Sequence, residues 1–211
     1  MVKVPQSFYF NPDVLDVARS LLGKILATQI NGVHTAGRIV ETEAYAGVTD
    51  KASHAYGGRN TARTSVMYAP GGTAYVYLCY GIHALFNVVS NEEGVPHATL
   101  IRAVEPVSGI DEILKRTGKR NGDPTITRGP GNVSKALGII PRHTGTSLAG
   151  NLIYLLDDGY TPPVDLIGTS PRIGVDYAGE DALLPYRYFI KGNRFVSKSK
   201  FRTPDKPSSS Y

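Results

Sequence analysis

The chain has 211 residues, of which 41% are hydrophobic and 19% are charged, so its length predicts one domain and its apolar content excludes a protein disordered throughout. Its 23 lysines and arginines exceed its 18 acids and give a formal charge of +5, which fits a polyanionic partner but is a weak signal by itself. The single cysteine, Cys79, excludes a disulfide-stabilised scaffold and a cysteine-based zinc cluster.

The first predicted element is a helix near the start of the chain. Asn11 is predicted as its N-cap, Pro12 as its first helical residue and Gly23 as its end. Between these positions, apolar residues recur at helical spacing. They are Val14, Leu15, Ala18, Leu21 and Leu22.

A β-hairpin is predicted next. Residues 24–30 and 33–45 are rich in β-forming residues, and the Asn-Gly pair at 31–32 is the strongest short hairpin signal. Because side chains alternate along a strand, the odd-numbered residues of the second strand are predicted to share one face. They are Val33, Thr35, Gly37, Ile39, Glu41, Glu43 and Tyr45.

The middle of the chain is predicted to hold a long loop followed by three strands. Residues 46–72 contain many glycines and prolines and few apolar runs, and long loops in compact domains usually carry function. Strands are predicted over 73–80 and 83–90, around a Tyr80-Gly81 turn, and over 97–105.

Two short helices and four short strands are predicted in the second half. One helix extends from about 109 to 117 with Ser108 as its N-cap, and the other follows residues 129–132 and ends at Gly138. The strands are predicted near 152–156, 172–175, 186–190 and 195–197.

Together these elements predict an α+β fold, in which one mixed domain, residues 1–203, has a curved antiparallel β-sheet flanked by short helices. Residues 204–211 are predicted to form a flexible basic and serine-rich tail. The last 25 residues carry seven lysines and arginines against one acid, so their net charge is 7 − 1 = +6. Both a surface that faces a polyanion and a solvated tail fit this charge.

The first candidate for chemistry is a pair of acids at the end of the second hairpin strand. Glu41 and Glu43 lie in an apolar strand that leads into Tyr45, where a carboxylate is costly unless it is paired or used. One interpretation is a functional carboxylate. The other is a structural ion pair with Arg38, Arg59 or Arg63.

A second candidate is a tyrosine-rich region in a chain with 13 tyrosines and no tryptophan. Tyr75 and Tyr77 alternate with aliphatic residues, a pattern that is typical of half-buried packing. Tyr80 differs because it adjoins the glycine of a hairpin turn. A ring that protrudes there would be able to wedge between stacked bases.

Motifs for other chemistries are weak or missing. The five histidines lack the spacing of a helix-borne metal site, and the chain has neither a P-loop nor a nucleophile elbow, so no metal or cofactor is expected. Residues 128–132 precede a predicted helix and could present backbone amides to a phosphate.

No segment approaches the roughly 18 apolar residues of a membrane span, and a cytoplasmic protein is expected.

Six ordered segments resemble the alkyladenine DNA glycosylase family, the 3-methyladenine DNA glycosylases of the mammalian type. They are the run from Leu-Ala-Thr, which begins at Leu26, to Gly-Arg-Ile-Val-Glu-Thr-Glu-Ala-Tyr, which ends at Tyr45, and residues 53–59, 67–81, 86–90, 100–106 and 128–132. The similarity extends from about Leu15 to Val196. Several motifs in order are far more specific than any one alone, and the family fold, one α/β domain around a curved antiparallel sheet, agrees with the predicted elements.

The resemblance implies the catalytic group and the walls of a base pocket. It makes Glu43 the general base, and Arg102 a group that holds the nucleophilic water and a nearby phosphate. It makes Tyr45 and Tyr77 the rings that sandwich the base, and His54 a hydrogen-bonding wall.

It also implies a gate and a wedge. Asn87 would be a steric and polar gate in the pocket floor, and Tyr80 would fill the gap left by an extruded nucleotide. His83 departs from the family pattern, which has an aromatic ring beside the wedge, and this leaves the details of the hairpin open. The residues expected to contact water or phosphate are Arg128, Arg172 and Ile173.

The function implied by the resemblance is DNA repair. The enzyme would flip alkylated purines, such as 3-methyladenine and 7-methylguanine-like bases, out of duplex DNA and hydrolyse the N-glycosidic bond with a Glu-activated water, leaving an abasic site. We expect a nucleoid-associated monomer whose partner is double-stranded DNA. The alternatives are a noncatalytic nucleic-acid binding module and a hydrolase of free nucleosides, and the processing of hypoxanthine or ethenoadenine is left open.

Overall fold

The strands of residues 1–198, the part of the chain that this computed structural model describes, pair into one antiparallel sheet. In chain order they are β1 (Val2–Lys3), β2 (Ile25–Ile30), β3 (Val33–Tyr45), β4 (Ala74–Cys79), β5 (His83–Ser90), β6 (His97–Ser108), β7 (Ile153–Asp157), β8 (Ile167–Ser170) and β9 (Arg187–Ile190). Their spatial order is β1-β7-β2-β3-β6-β5-β4, and β9 pairs with both β3 and β8. The predicted α+β fold is confirmed.

Four short helices accompany the sheet: α1 (Gln6–Tyr9), α2 (Val14–Ser20), α3 (Ile110–Thr117) and α4 (Pro130–Leu137). The main core lies where α2 and α4 pack against the sheet, because Val17, Leu137, Ile39 and Phe86 belong to one buried cluster. Each such side chain contributes about 1.5–3 kcal/mol when fully buried. In residues 1–198 no helix has the length and apolarity that crossing a membrane requires.

Bulges in the central strand decide which side chains face the core. Both predicted hairpins are confirmed, but the register of β3 against β6 shifts between Ile39 and Glu41, and again between Glu41 and Thr42. Ile39 therefore lies in the core on the helix side, whereas Glu41 contacts Arg102. The prediction that Ile39 shares a face with Glu41 and Glu43 is wrong, because one extra residue in a strand reverses the alternation of side chains.

The N-caps of two helices differ from those predicted. Helix α2 is capped by Asp13, whose Oδ1 accepts from the N–H groups of Leu15 and Asp16, so Asn11 is not the cap. Helix α3 is capped by Gly109, because Ser108 is still paired in β6. Gly109 has a φ of +71°, and a Cβ atom there would lie 2.3 Å from a backbone oxygen, so only glycine fits.

The strand predictions fail at two places in the last third. Residues 172–175 and 195–197 form no strand, and β8 lies just before the first of them. Val175 packs instead in a small cluster with Ala52 and Ala178, so its apolar character serves loop packing. The sequence analysis also missed β1 and α1, whereas the predicted strands at 152–156 and 186–190 are confirmed within a residue.

The long predicted loop is confirmed and connects β3 to β4. Residues 46–72 contain three short 3₁₀ turns, Gly47–Thr49, Tyr56–Gly58 and Ser65–Tyr68. The loop therefore has local order without a strand or an α-helix of its own. The domain boundary predicted at residue 203 and the tail predicted at 204–211 lie outside the described residues.

Candidate functional site

A cavity of about 530 Å³ opens beside β4, β5 and β6. Its volume lies within the range of sites that accept small molecules. The loop after β3 contributes His54 and Arg63, and the start of α4 contributes residues 129–132. Among the predicted site residues, those that line it are Tyr45, His54, Tyr77, Tyr80, Asn87, Arg102 and Ile173.

Cross-strand pairing brings the site residues together. Glu43 pairs with Leu100 across β3 and β6, Leu100 pairs with Asn87 across β6 and β5, and Asn87 pairs with Tyr75 across β5 and β4. Residues directly opposite in an antiparallel sheet project from the same face. Side chains up to 57 positions apart in sequence therefore form one row on this face of the sheet, of which Leu100, Asn87 and Tyr75 line the cavity.

The Glu43 carboxylate is held by three donors. Its Oε1 accepts from the backbone N–H of Ile173 at 2.7 Å, and its Oε2 accepts from the Tyr45 hydroxyl at 3.0 Å and from Nη1 of Arg102 at 3.1 Å. An ionised carboxylate offers about four acceptor positions. One position on Oε1 is therefore left for a further donor.

Glu43 lies behind the cavity wall. It has no exposed surface and does not itself line the cavity, but Tyr45, Arg102 and Ile173, its three partners, all do. The carboxylate is therefore closed to solvent in this structure. Only its hydrogen-bonding partners separate the carboxylate from the cavity.

Glu41 is the centre of a second buried ion network. Its Oε1 accepts from Nε of Arg102 at 3.0 Å and from Nε of Arg187 at 2.7 Å, and its Oε2 accepts from the Ser197 N–H at 2.7 Å. Together, Glu41, Glu43, Arg102 and Arg187 balance two negative and two positive charges, as buried charges require. The three predicted arginine partners are wrong, and Arg38, for example, pairs with Asp158 instead.

The charges around Glu41 determine its protonation. Burial alone would raise the pKa of this carboxyl, but Arg102 and Arg187 hold the pKa below its usual value. Likewise, burial would lower the pKa of Arg102, but Glu43 and Glu41 raise it, so the guanidinium stays charged. Arg187, one of the seven basic residues counted in the last 25, is buried in this network and donates to Ser170, so its charge does not lie on the surface.

An acid-stability prediction follows from Glu41. Since its folded pKa lies below its unfolded pKa, Glu41 stabilises the fold above its usual pKa, and this contribution is lost as the pH falls through the folded value. Glu41→Gln should unfold at lower denaturant concentration at pH 7, and its stability should fall less steeply toward pH 3. Denaturant titrations across this range would measure it. Parallel pH curves for the two proteins would contradict it, since the other acids are common to both.

Tyrosine and histidine rings form one wall of the cavity. The centroids of Tyr75 and Tyr77 are 5.3 Å apart, and His54 meets Tyr77 edge-on at 4.6 Å. Nδ1 of His54 lies 2.8 Å from the hydroxyl of Tyr75. Burial raises the pKa of Tyr77, so its phenol is protonated at neutral pH.

The imidazole of His54, which lines the cavity, is uncharged at neutral pH. Burial, with Arg63 and Arg59 nearby, lowers its pKa to about 4. At neutral pH the imidazole therefore carries no charge. A cationic ligand in the cavity would not be repelled by this ring.

Asn87 lines the cavity, and its predicted role as a gate stays a prediction. It is buried, and its Nδ2 donates to the Tyr75 carbonyl at 3.1 Å. The amide oxygen is then the group left for a ligand.

Arg172 links the long loop to the end of β3 beside the site. Its guanidinium makes a bidentate pair with Asp50 at 2.5 and 2.9 Å, donates to the carbonyl of Ala44, and lies over the ring of Tyr45 at 4.9 Å. Its side chain has no exposed surface. The contact to water or phosphate predicted for Arg172 stays a prediction, and the next residue, Ile173, contributes its N–H to Glu43.

The start of α4 lies at the cavity, but Arg128 does not line it. Arg128 donates to the backbone carbonyl of Arg194, and the phosphate contact predicted for it stays a prediction. Gly131 packs against His83, since a Cβ atom at Gly131 would lie 3.1 Å from that side chain. This contact supports the β4–β5 hairpin from the side of α4.

Tyr80 protrudes from the tip of the β4–β5 hairpin. It is 91% exposed, and Ile82 beside it is also exposed. Tyr80 has a φ of +51°, a conformation that a bulky residue adopts only at a cost. The Tyr80 ring therefore projects from the hairpin into solvent.

Several residues of the site were missed from the sequence. Tyr177 lines the cavity, Arg63 lies over the ring of Tyr77, and Asp50 and Arg187 hold buried ion pairs. Local sequence pattern carries no signal for these contacts, because the ion pairs of Asp50 and Arg187 and the cation–π contact of Arg63 join residues at least 14 positions apart in the chain.

Comparison with known proteins gives concordant results. The family model described as methylpurine-DNA glycosylase (MPG) matches residues 7–194. A relative from Chlamydia felis is 45% identical over 198 residues, covering 93% of this chain and 98% of its own. Relatives from Clostridium perfringens and Bacillus cereus are each 43% identical, covering 90% and 93% of this chain and 97% and 100% of their own. All three carry the name "Putative 3-methyladenine DNA glycosylase".

Proposed function

The chain belongs to the methylpurine-DNA glycosylase family and is a DNA glycosylase of DNA repair, and from this premise we propose that it removes alkylated purines, such as 3-methyladenine and 7-methylguanine-like bases, from double-stranded DNA. The observation that carries the proposal is the Glu43 carboxylate, held by Tyr45, Arg102 and Ile173 directly behind a tyrosine-walled cavity. One chain supplies every group that the proposed mechanism uses, so a monomer acting on nucleoid DNA suffices.

The cavity suits a cationic purine. Methylation at N3 or N7 makes the base positively charged and weakens its bond to the sugar, so it can leave without being protonated. The faces of Tyr45 and Tyr77 would attract such a base by about 0.5–2 kcal/mol per contact. The neutral His54 adds no opposing charge.

Glu43 would activate the attacking water. In this mechanism the water donates to the free acceptor position of Oε1 and attacks the anomeric carbon, while the carboxylate takes its proton and stabilises the positive charge that develops on the sugar. Because Glu43 has no exposed surface, the side chains around it must move apart when DNA binds, far enough to admit one water molecule. The products are an abasic site and the free base.

Hydrolysis without strand cleavage is the outcome that the cavity supports. A lyase forms a Schiff base through an amine. Within residues 1–198, no lysine lines the cavity. The abasic product should therefore stay intact until it is treated with alkali.

Tyr80 would fill the space of the flipped nucleotide. Extrusion of a base costs a few kcal/mol, and stacking of one ring returns about 1–3 kcal/mol. Tyr80→Ala should therefore weaken binding to a methylated duplex by about 5- to 150-fold, with less effect on which lesion is preferred. Fluorescence anisotropy with labelled duplex would measure this.

Val164→Ala is the matched control for Tyr80→Ala. Val164 is 86% exposed but lies outside the hairpin. This variant should bind like the unchanged protein. Equal affinity of Tyr80→Ala and the unchanged protein would remove the wedge from the proposal.

The deciding experiment measures free base released from methylated duplex DNA, with methylated nucleoside as a parallel substrate. The proposal expects release from the duplex and little from the nucleoside. Binding of the duplex without release would indicate a noncatalytic module, and equal release from both would indicate a nucleoside hydrolase. A duplex containing hypoxanthine tests neutral lesions, which need an acid that the cavity does not evidently supply.

A further inference from the structure

Arg63 lies over the face of Tyr77. Its Cζ is 5.0 Å from the ring centroid, within the range of a cation–π contact. Both side chains line the large cavity, and Arg63 also borders a smaller cavity of about 170 Å³, with Arg59 and Thr61 among its lining. The Arg63 guanidinium therefore lies over the Tyr77 ring, on which the proposed function stacks the damaged base.

Apart from the Tyr77 ring, the Arg63 side chain interacts with the hydroxyl of Tyr75 in the same cavity wall. It is exposed, and it forms no ion pair with any carboxylate in residues 1–198. Its backbone is fixed, because the buried Thr64 accepts from the Thr61 N–H at 2.8 Å and donates to the Arg59 carbonyl at 3.1 Å. The side chain can therefore leave the ring without disturbing the turn that carries it.

We propose that Arg63 is a displaceable cation: it occupies the face of Tyr77 in the free enzyme, gives way to an alkylated base, and returns to the ring after cleavage. The proposal rests on the proposed function of the cavity. It makes Arg63 a residue that governs base entry and product release, outside the chemical step itself.

The charge of the base changes during the reaction, and this gives the competition a direction. A 3-methyladenine nucleotide is a cation, so on entry it replaces the guanidinium with another cation over the ring. Hydrolysis forms the bond from water to the sugar carbon, breaks the N-glycosidic bond, and yields a neutral base and one proton. The neutral base has lost its cation–π attraction, and Arg63 then competes for Tyr77 against a weaker occupant.

The test is the affinity of free 3-methyladenine, the neutral product, for the full-length protein, measured by calorimetric titration. Arg63→Gln should bind the base about two- to fivefold more tightly, since removing an exposed cation–π contact removes a competitor of about 0.5–1 kcal/mol. Arg63→Lys retains a cation and should bind less tightly than Arg63→Gln. A gain of affinity on removing a side chain cannot arise from damage to the fold.

Arg59→Gln is the matched control. Arg59 lies near the same turn and, like Arg63, lowers the pKa of His54, but it does not line the large cavity. It should leave the affinity for the base unchanged. If Arg63→Gln binds the base no more tightly than the unchanged protein, or if Arg59→Gln gains as much, the proposal is overturned.

This titration needs no cleavage, so it is independent of the test of the proposed function. If the unchanged protein releases no methylated base from duplex DNA, the proposed function fails, whatever the titration shows. If release occurs but Arg63→Gln gains no affinity, only the role of Arg63 fails.

Discussion

Glu43→Gln is expected to lower the rate of base release by about 10²- to 10⁴-fold, the usual contribution of a general base, while a methylated duplex still binds. The amide keeps the size of the carboxylate and an oxygen that can accept from the Ile173 N–H, but it cannot take a proton from water. It also leaves one charge of Arg102 without its partner. Single-turnover release of base would measure the chemical step, and anisotropy with the same duplex would measure binding.

Glu41→Gln is the matched control for this experiment. Glu41 is as buried as Glu43 and binds the same guanidinium. Unlike Glu43, it forms no hydrogen bond with Tyr45 or Ile173, which line the cavity. It should lose stability as Glu43→Gln does and retain far more base release. If both variants lose activity equally, the defect lies in the ion network, and if Glu43→Gln keeps full activity, Glu43 is not the base.

Asp50→Asn is expected to destabilise the fold by about 3–5 kcal/mol, because it leaves the buried charge of Arg172 without a partner. Asp50 also accepts from the N–H groups of Ala46 and Ala52, so the first turns of the long loop depend on it. For a protein of this size the loss corresponds to a fall in Tm of roughly 6–20 °C. Calorimetric or circular dichroism melting would measure it.

Asp158→Asn is the control, since Asp158 makes a bidentate pair with Arg38 near the surface. Exposed pairs contribute little, so its Tm should change much less than that of Asp50→Asn. Asp50→Asn should also reduce base release below its melting range, because Arg172 lies over Tyr45 and precedes Ile173. Equal melting temperatures of the two variants would show that the buried pair does not hold the site.

Hairpins and helix ends were predictable from the sequence where one local signal dominates. The Asn-Gly turn places β2 against β3 in register, and Gly138 ends α4 in the left-handed conformation that glycine favours. Local signals failed where a distant partner competes with them. Ser108 would cap a helix in isolation, but its pairing with Ala36 keeps it in β6 and transfers the cap to Gly109.

The sequence by itself determined the α+β class, the two hairpins, the motifs of the family, and the acids and rings that became candidates for the site. Only the tertiary structure decided that Arg102 and Ile173 hold Glu43, that Arg172 is committed to Asp50, and that Arg63 lies over Tyr77. The reason is that backbone turns and alternation act between near neighbours in the chain. The partner of a buried charge is instead selected by the sheet register and by the need to neutralise that charge in an interior that water does not reach.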